Sequence, residues 1–88
     1  MTYDDKIAIG YSQAIYEEMV HASSKFPMFA SEHEGYAILL EEMDELWDAV
    51  KLNQKNPERV NLICKECIQV GAMALRFLHD MQIRREQE

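Results

Sequence analysis

The run Glu41-Glu42-Met43-Asp44-Glu45 places four carboxylates within about one and a half helical turns. Residues three and four apart on a helix are neighbours, so Glu45 meets both Glu41 and Glu42, and like charges so placed destabilise the helix. A hard cation with oxygen ligands relieves that repulsion; otherwise water alone must screen it. A further carboxylate, Glu66, stands among Leu62, Ile63, Val70, Met73 and Phe77 at helical spacing. A carboxylate in such company is costly unless it is paired, protonated or metal-bound. The plain structural alternative is an ion pair with Lys65 or Arg59, or a partly exposed place at the edge of a bundle.

These residues need elements to position them, and the pattern is helical throughout, with no competing strand alternation. A first helix is expected from about Asp4 to about Ala22, with Thr2 as N-cap and Asp4 and Asp5 in the first turn. Its apolar positions are Ile7, Tyr11, Ala14, Ile15 and Met19, and Gly10 weakens it. Residues 23–30 read as a connector in which Phe26, Met28 and Phe29 flank Pro27. A lid over a ligand is one reading; a hydrophobic plug between helices is the preferred one, because apolar loop residues most often simply bury. Ser31-Glu32-His33-Glu34 forms a capping box and opens a second helix running to about Leu52. Its apolar side is Tyr36, Leu39, Leu40, Met43, Leu46, Trp47 and Val50. Asn56-Pro57 reads as an N-cap followed by proline at the first helical position, opening a third helix that runs to about Ile83.

Glu45 lies eight residues before Asn53 and Glu66 nine residues after Pro57. At the standard rise both are then about 12–13 Å from the link. If that link closes an antiparallel hairpin, Glu41, Glu42, Glu45 and Glu66 converge across one groove. Metal sites in helical bundles are commonly built from inward carboxylates on facing helices. All-oxygen ligation favours magnesium, manganese or calcium over zinc or copper.

The third helix carries apolar or small residues in nearly every direction around its middle, leaving a narrow polar stripe of Lys65, Gln69, Arg76 and Asp80. Such a helix is buried on several sides, and two partner helices from 88 residues can hardly cover it. A second copy is therefore expected to pack there, with Gly71, Ala72 and Ala74 permitting close approach. A hydrophobic share of 48%, high for this size, agrees with burial in an oligomer. The net charge of −7 argues against nucleic-acid and anionic-membrane partners, and no apolar run approaches the length of a membrane span. The acidic start lacks a signal-peptide pattern, so a cytoplasmic protein is expected. Cys64 and Cys67 have CxxC spacing, but no second pair and no HxxxH accompany them, so they are expected to be buried small apolar residues rather than zinc ligands or a redox pair.

Together these residues resemble the MazG-type, all-α nucleoside triphosphate pyrophosphohydrolases, whose motif is EExxE on one helix and ExxD on the next. The first half stands as Glu41-Glu42-Met43-Asp44-Glu45 and the second as Glu66-Cys67-Ile68-Gln69, with Gln69 where the family has aspartate. The resemblance covers roughly residues 25–80, most of the chain. It implies a single domain over residues 1–88: a three-helix, all-α protomer assembling as a homodimer or homotetramer with four-helix-type modules. It implies hydrolysis of a nucleoside triphosphate to the monophosphate and pyrophosphate in nucleotide-pool clean-up. Mg²⁺ or Mn²⁺ would be held by Glu41, Glu42, Glu45 and Glu66, with Glu42 and Glu45 as catalytic carboxylates and the base among them unassigned. Gln69 is neutral and a poorer ligand for a hard cation, which opens an alternative: a non-catalytic nucleotide-binding or oligomerisation module of the same fold. A third reading is a structural bundle whose acidic face is merely solvated.

The remaining polar residues carry weaker expectations. Glu34 is the capping partner of Ser31, Asp44 and Asp48 are surface charges, and His33 and His79 sit on helix surfaces. Lys51, Lys55 and Arg76 are candidates for phosphate contact, without spacing that singles one out. Trp47 is expected in the core, with a base-stacking role as the alternative.

Overall fold

The computed structural model describes residues 2–88, which form three helices joined by short links. Among these residues there is no strand, and no helix is long and apolar enough to cross a membrane.

Helix α1 spans Asp5–Lys25. Its cap is Asp4 rather than Thr2: the Asp4 carboxylate accepts from the Lys6 and Ile7 N–H groups at 2.9 and 3.2 Å. An anion does this at a helix start better than a hydroxyl, because it also answers the positive end of the dipole. Helix α2 spans Glu32–Val50. Ser31 Oγ accepts from the Glu34 N–H at 3.1 Å as expected, but Glu34 Oε1 reaches back past the cap to the Ala30 N–H at 3.3 Å. The helix stops short of Leu52, where Arg59 closes it: the guanidinium donates to the Val50 carbonyl through Nε and Nη2 at 3.2 and 3.0 Å. Cations near the last carbonyls of a helix are favourable.

Helix α3 spans Arg59–Gln87 and starts later than Asn56-Pro57 suggests. Asn56 Oδ1 accepts from the Glu58 N–H at 2.9 Å, so its cap closes a turn ahead of the regular helix. Pro57 therefore belongs to that turn.

The central element is α3, which packs against both α1 and α2, while α1 and α2 do not pack on each other. Two glycines set these distances. A Cβ on Gly71 would stand 2.9 Å from the Ile15 side chain of α1, and one on Gly35 would stand 2.8 Å from the Phe77 ring. Gly71, and Ala72 beside it in the core, are thus used within the chain rather than reserved for a partner. The core is small: Ala22, Ala72 and Met73 form one cluster, with Met19, Ile38 and Leu39 packed against it, and Phe29 and Ala49 are buried apart from it.

Much of the apolar patterning remains uncovered. On α2, Leu39, Leu46 and Val50 turn inward, but Tyr36, Leu40, Met43 and Trp47 are exposed. Their spacing of four, three and four residues puts them on one stripe. Trp47 is 58% exposed and is not a core residue of the protomer. Val60, Cys67 and Leu78 on α3 and Ile9, Tyr16 and Val20 on α1 are exposed as well. Cys64 is half-buried, so neither cysteine is fully enclosed.

Candidate metal centre and the groove beside it

Glu42, Glu45 and Glu66 each offer a carboxylate oxygen, and these three atoms lie within 4.8 Å of one another. The antiparallel pairing of α2 and α3 puts them at one height, and the i, i+3 relation of Glu42 and Glu45 puts both on the seam. Glu41 lies outside this cluster. The turn of the helix carries it onto the wall of an adjacent groove, where Glu42 also looks in.

The environment of the trio is poor in donors. Glu42 Oε2 and Glu66 Oε2 are buried and have no hydrogen-bond partner. No ion pair reaches Glu66 among the described residues, and Arg59 is committed to the Val50 carbonyl. Burial raises the Glu42 carboxyl to about 7, reinforced by the charge and hydrogen bonding of Glu45 and by the charges of Glu66 and Glu41. Burial raises Glu66 also, with Glu45 adding to the shift and Lys65 opposing it. Buried acceptors without donors are costly. Three mutually repelling oxygens at this spacing suit a hard divalent cation, and two of the three residues also carry a buried oxygen without a donor. The residues present therefore fit the group the sequence implies.

Beside the trio runs a groove of about 460 Å³ between α1 and α2, with α3 as its floor. Gln69, one turn beyond Glu66, lines it together with Glu41 and Glu42. Its far end is formed by the link between α1 and α2, and α3 holds that link down. The Phe29 N–H donates to Asp80 Oδ2 at 3.0 Å. Arg76 donates to the Pro27 carbonyl and Arg84 to the Phe29 carbonyl. The Arg76 guanidinium lies 4.3 Å from the Phe29 ring centroid, and Phe29 meets Phe77 edge-on at 5.7 Å. Phe29 is thus the hydrophobic plug, while Phe26 is exposed and faces the groove. Arg76 and Asp80, the far end of the polar stripe on α3, are buried by this link. Their role was not readable from spacing, because their partners are backbone groups about fifty residues away.

The weaker candidates fall as follows. Lys51 pairs with Asp48 at 3.3 Å and lies over the Trp47 ring at 5.7 Å, away from the groove. Arg76 lines the groove but is engaged by the link. Trp47 does not line the groove. His79 is half-exposed and its Nδ1 lies 2.9 Å from Asp80 Oδ1.

Comparison of the chain with models of known protein families, with curated proteins and with solved structures finds no match.

Proposed function

We propose that the chain is a divalent-metal-dependent nucleoside triphosphate pyrophosphohydrolase of MazG type, acting in the cytoplasm on surplus or non-standard nucleotides. The observation that carries this reading is the trio of carboxylates from two helices, two of them with orphaned buried oxygens, opening beside a groove. Glu42, Glu45 and Glu66 hold Mg²⁺ or Mn²⁺. When bound, the cation neutralises phosphate charge and stabilises the charge that develops in the transition state. That also reconciles a protein of charge −7 with an anionic substrate.

The reaction adds water at the α-phosphorus and breaks its bond to the bridging oxygen, releasing pyrophosphate. Glu41 is outside the trio yet shares the groove wall with Glu42. The proton of the attacking water passes to a carboxylate of the site, where Glu41 shares the groove wall with Glu18 and Glu34 as well as Glu42, and Glu42 and Glu45 serve as the catalytic carboxylates through ligation.

The working form is a homo-oligomer. The exposed stripe on α2 and the exposed apolar positions of α3 and α1 lie outside the groove. With extents of 50 × 28 × 24 Å, the protomer has room for the about 800 Å² per partner of a standard interface. Sedimentation is expected to show a dimer or tetramer at micromolar concentration; a stable monomer would remove this part of the proposal.

The test of activity is incubation with ribo- and deoxyribonucleoside triphosphates and Mg²⁺ or Mn²⁺, assayed for monophosphate and pyrophosphate. Metal-dependent release that Glu42→Gln lacks is expected. Gln69 on the groove floor favours a second reading, a nucleotide-binding module without turnover. Metal and nucleotide binding without release would select it. Gln69→Asp is expected to tighten metal binding; unchanged or weaker affinity would remove Gln69 from the metal's surroundings.

A further inference from the structure

We propose that the link-side end of the groove is the nucleobase subsite, with the base lying on the Phe26 ring. This rests on the reading of the carboxylate trio as the phosphate end, and it identifies the part of the chain that separates a nucleotide from other polyphosphates.

Three observations converge on it. First, Phe26 is 60% exposed and lines the groove, whereas its neighbour Phe29 is 2% exposed in the same short link. An aromatic left open at a groove wall offers a flat apolar face, and base stacking on such a face tolerates any base. Second, Phe26 is held in place before anything binds. The residues after it are fixed to α3 by Arg76, Asp80 and Arg84, and the Arg76 guanidinium lies 5.9 Å from the Phe26 ring centroid. A pre-positioned ring loses little freedom on binding, and that preserves affinity. The link is therefore a platform rather than a lid.

Third, the distances suit a nucleotide. Gly35 on α2 faces Phe77 on α3 at the link end, and Glu42 is seven residues further along α2, about 10 Å at the standard rise. Gln69 and Arg76, both lining the groove, are seven residues apart on α3 and span the same length. This is the scale of a nucleoside with its first phosphates.

The experiment measures binding by calorimetry with Mn²⁺ present, using two probes: an α,β-methylene deoxynucleoside triphosphate and inorganic tripolyphosphate. Phe26→Ala is expected to weaken the nucleotide analogue roughly tenfold, the scale of one lost stacking contact, and to leave tripolyphosphate unchanged. Phe26→Tyr is expected to restore nucleotide affinity. Because Phe26 is largely exposed, an unchanged melting temperature is expected to accompany the alanine variant. Equal weakening of both probes, or of neither, overturns the subsite. So does a wild-type protein that binds the two probes equally well. A wild-type protein that binds neither probe overturns the phosphate end itself, a failure of the proposed function distinguishable from failure of the base subsite.

Discussion

Glu66 and Asp80 stand about four turns apart on α3, and they show two opposite ways to bury an acid. Asp80 is 2% exposed and has its donors: the Phe29 N–H on one oxygen and His79 beside the other. Glu66 has a buried oxygen with no donor, and its nearest polar company is other carboxylates. A satisfied buried acid fastens a fold, and here it pins the link that forms the end of the groove. An unsatisfied acid facing further acids weakens the fold unless a cation arrives. The contrast separates the structural acid from the candidate functional one without reference to any other protein.

The largest expected effect is at the satisfied acid. Asp80→Ala leaves the Phe29 N–H without its acceptor and is expected to destabilise the protein by about 1–3 kcal/mol in urea melts. Neutrality there would mean that the link is not fastened through Asp80. Glu66→Gln is expected to behave in the opposite sense. Without metal it removes like-charge repulsion, so the variant is expected to match the wild type or exceed it by about 0.5 kcal/mol. Marked destabilisation by Glu66→Gln would assign Glu66 a structural partner and erase the contrast.

The trio also sets a pH dependence. Glu42 titrates at about 7 in the folded protein, above its unfolded value. The folded state therefore binds more protons than the unfolded one between those two values. The stability it contributes is fully present below the unfolded value and is lost as pH rises through about 7. Urea melts of the metal-free protein are expected to show this gain between pH 7.5 and 5.5, checked against Glu42→Gln, in which the slope is reduced. Metal affinity is expected to move the other way, weakening as pH falls through the same window, because proton and cation compete for one oxygen. The smallest effect is expected at His79→Ala, within about 0.5 kcal/mol, since the ring is half-exposed and the Phe29 N–H still binds Asp80. A cost as large as that of Asp80→Ala would make the histidine, rather than the link, the group that holds the acid.

The helical content, the Ser31 cap and the common height of Glu45 and Glu66 were legible because each depends on local spacing. Helical period and a short link suffice to bring acids eight and nine residues from the link to one level. What spacing does not reveal is what covers a face. The stripe through Arg76 and Asp80 looks like solvated polarity, but the chain brings the 26–31 link onto it. The apolar stripe through Tyr36, Leu40, Met43 and Trp47 looks like core, but within one protomer nothing covers it. Glu41 and Glu42 differ by one residue in sequence and by a large rotation about the helix axis, so EExxE alone did not separate the cluster from the groove wall. Thr2 failed as a helix cap because Asp4 offered a better-charged acceptor to the first backbone N–H groups, whereas Asn56 caps the turn at residues 56–58 and α3 itself begins without a side-chain cap.

The central claim is that Glu42, Glu45 and Glu66 form one cation site. Its most direct test is calorimetric titration of Mn²⁺ into the metal-free wild type and Glu66→Gln, with melting temperatures taken with and without the ion. Saturable binding by the wild type is expected, with a rise in melting temperature equivalent to about 2.7 kcal/mol at a hundred times Kd, and both are expected to be lost in Glu66→Gln. Absence of binding in the wild type, or equal binding by the variant, would contradict the claim and leave the three carboxylates as a solvated acidic seam.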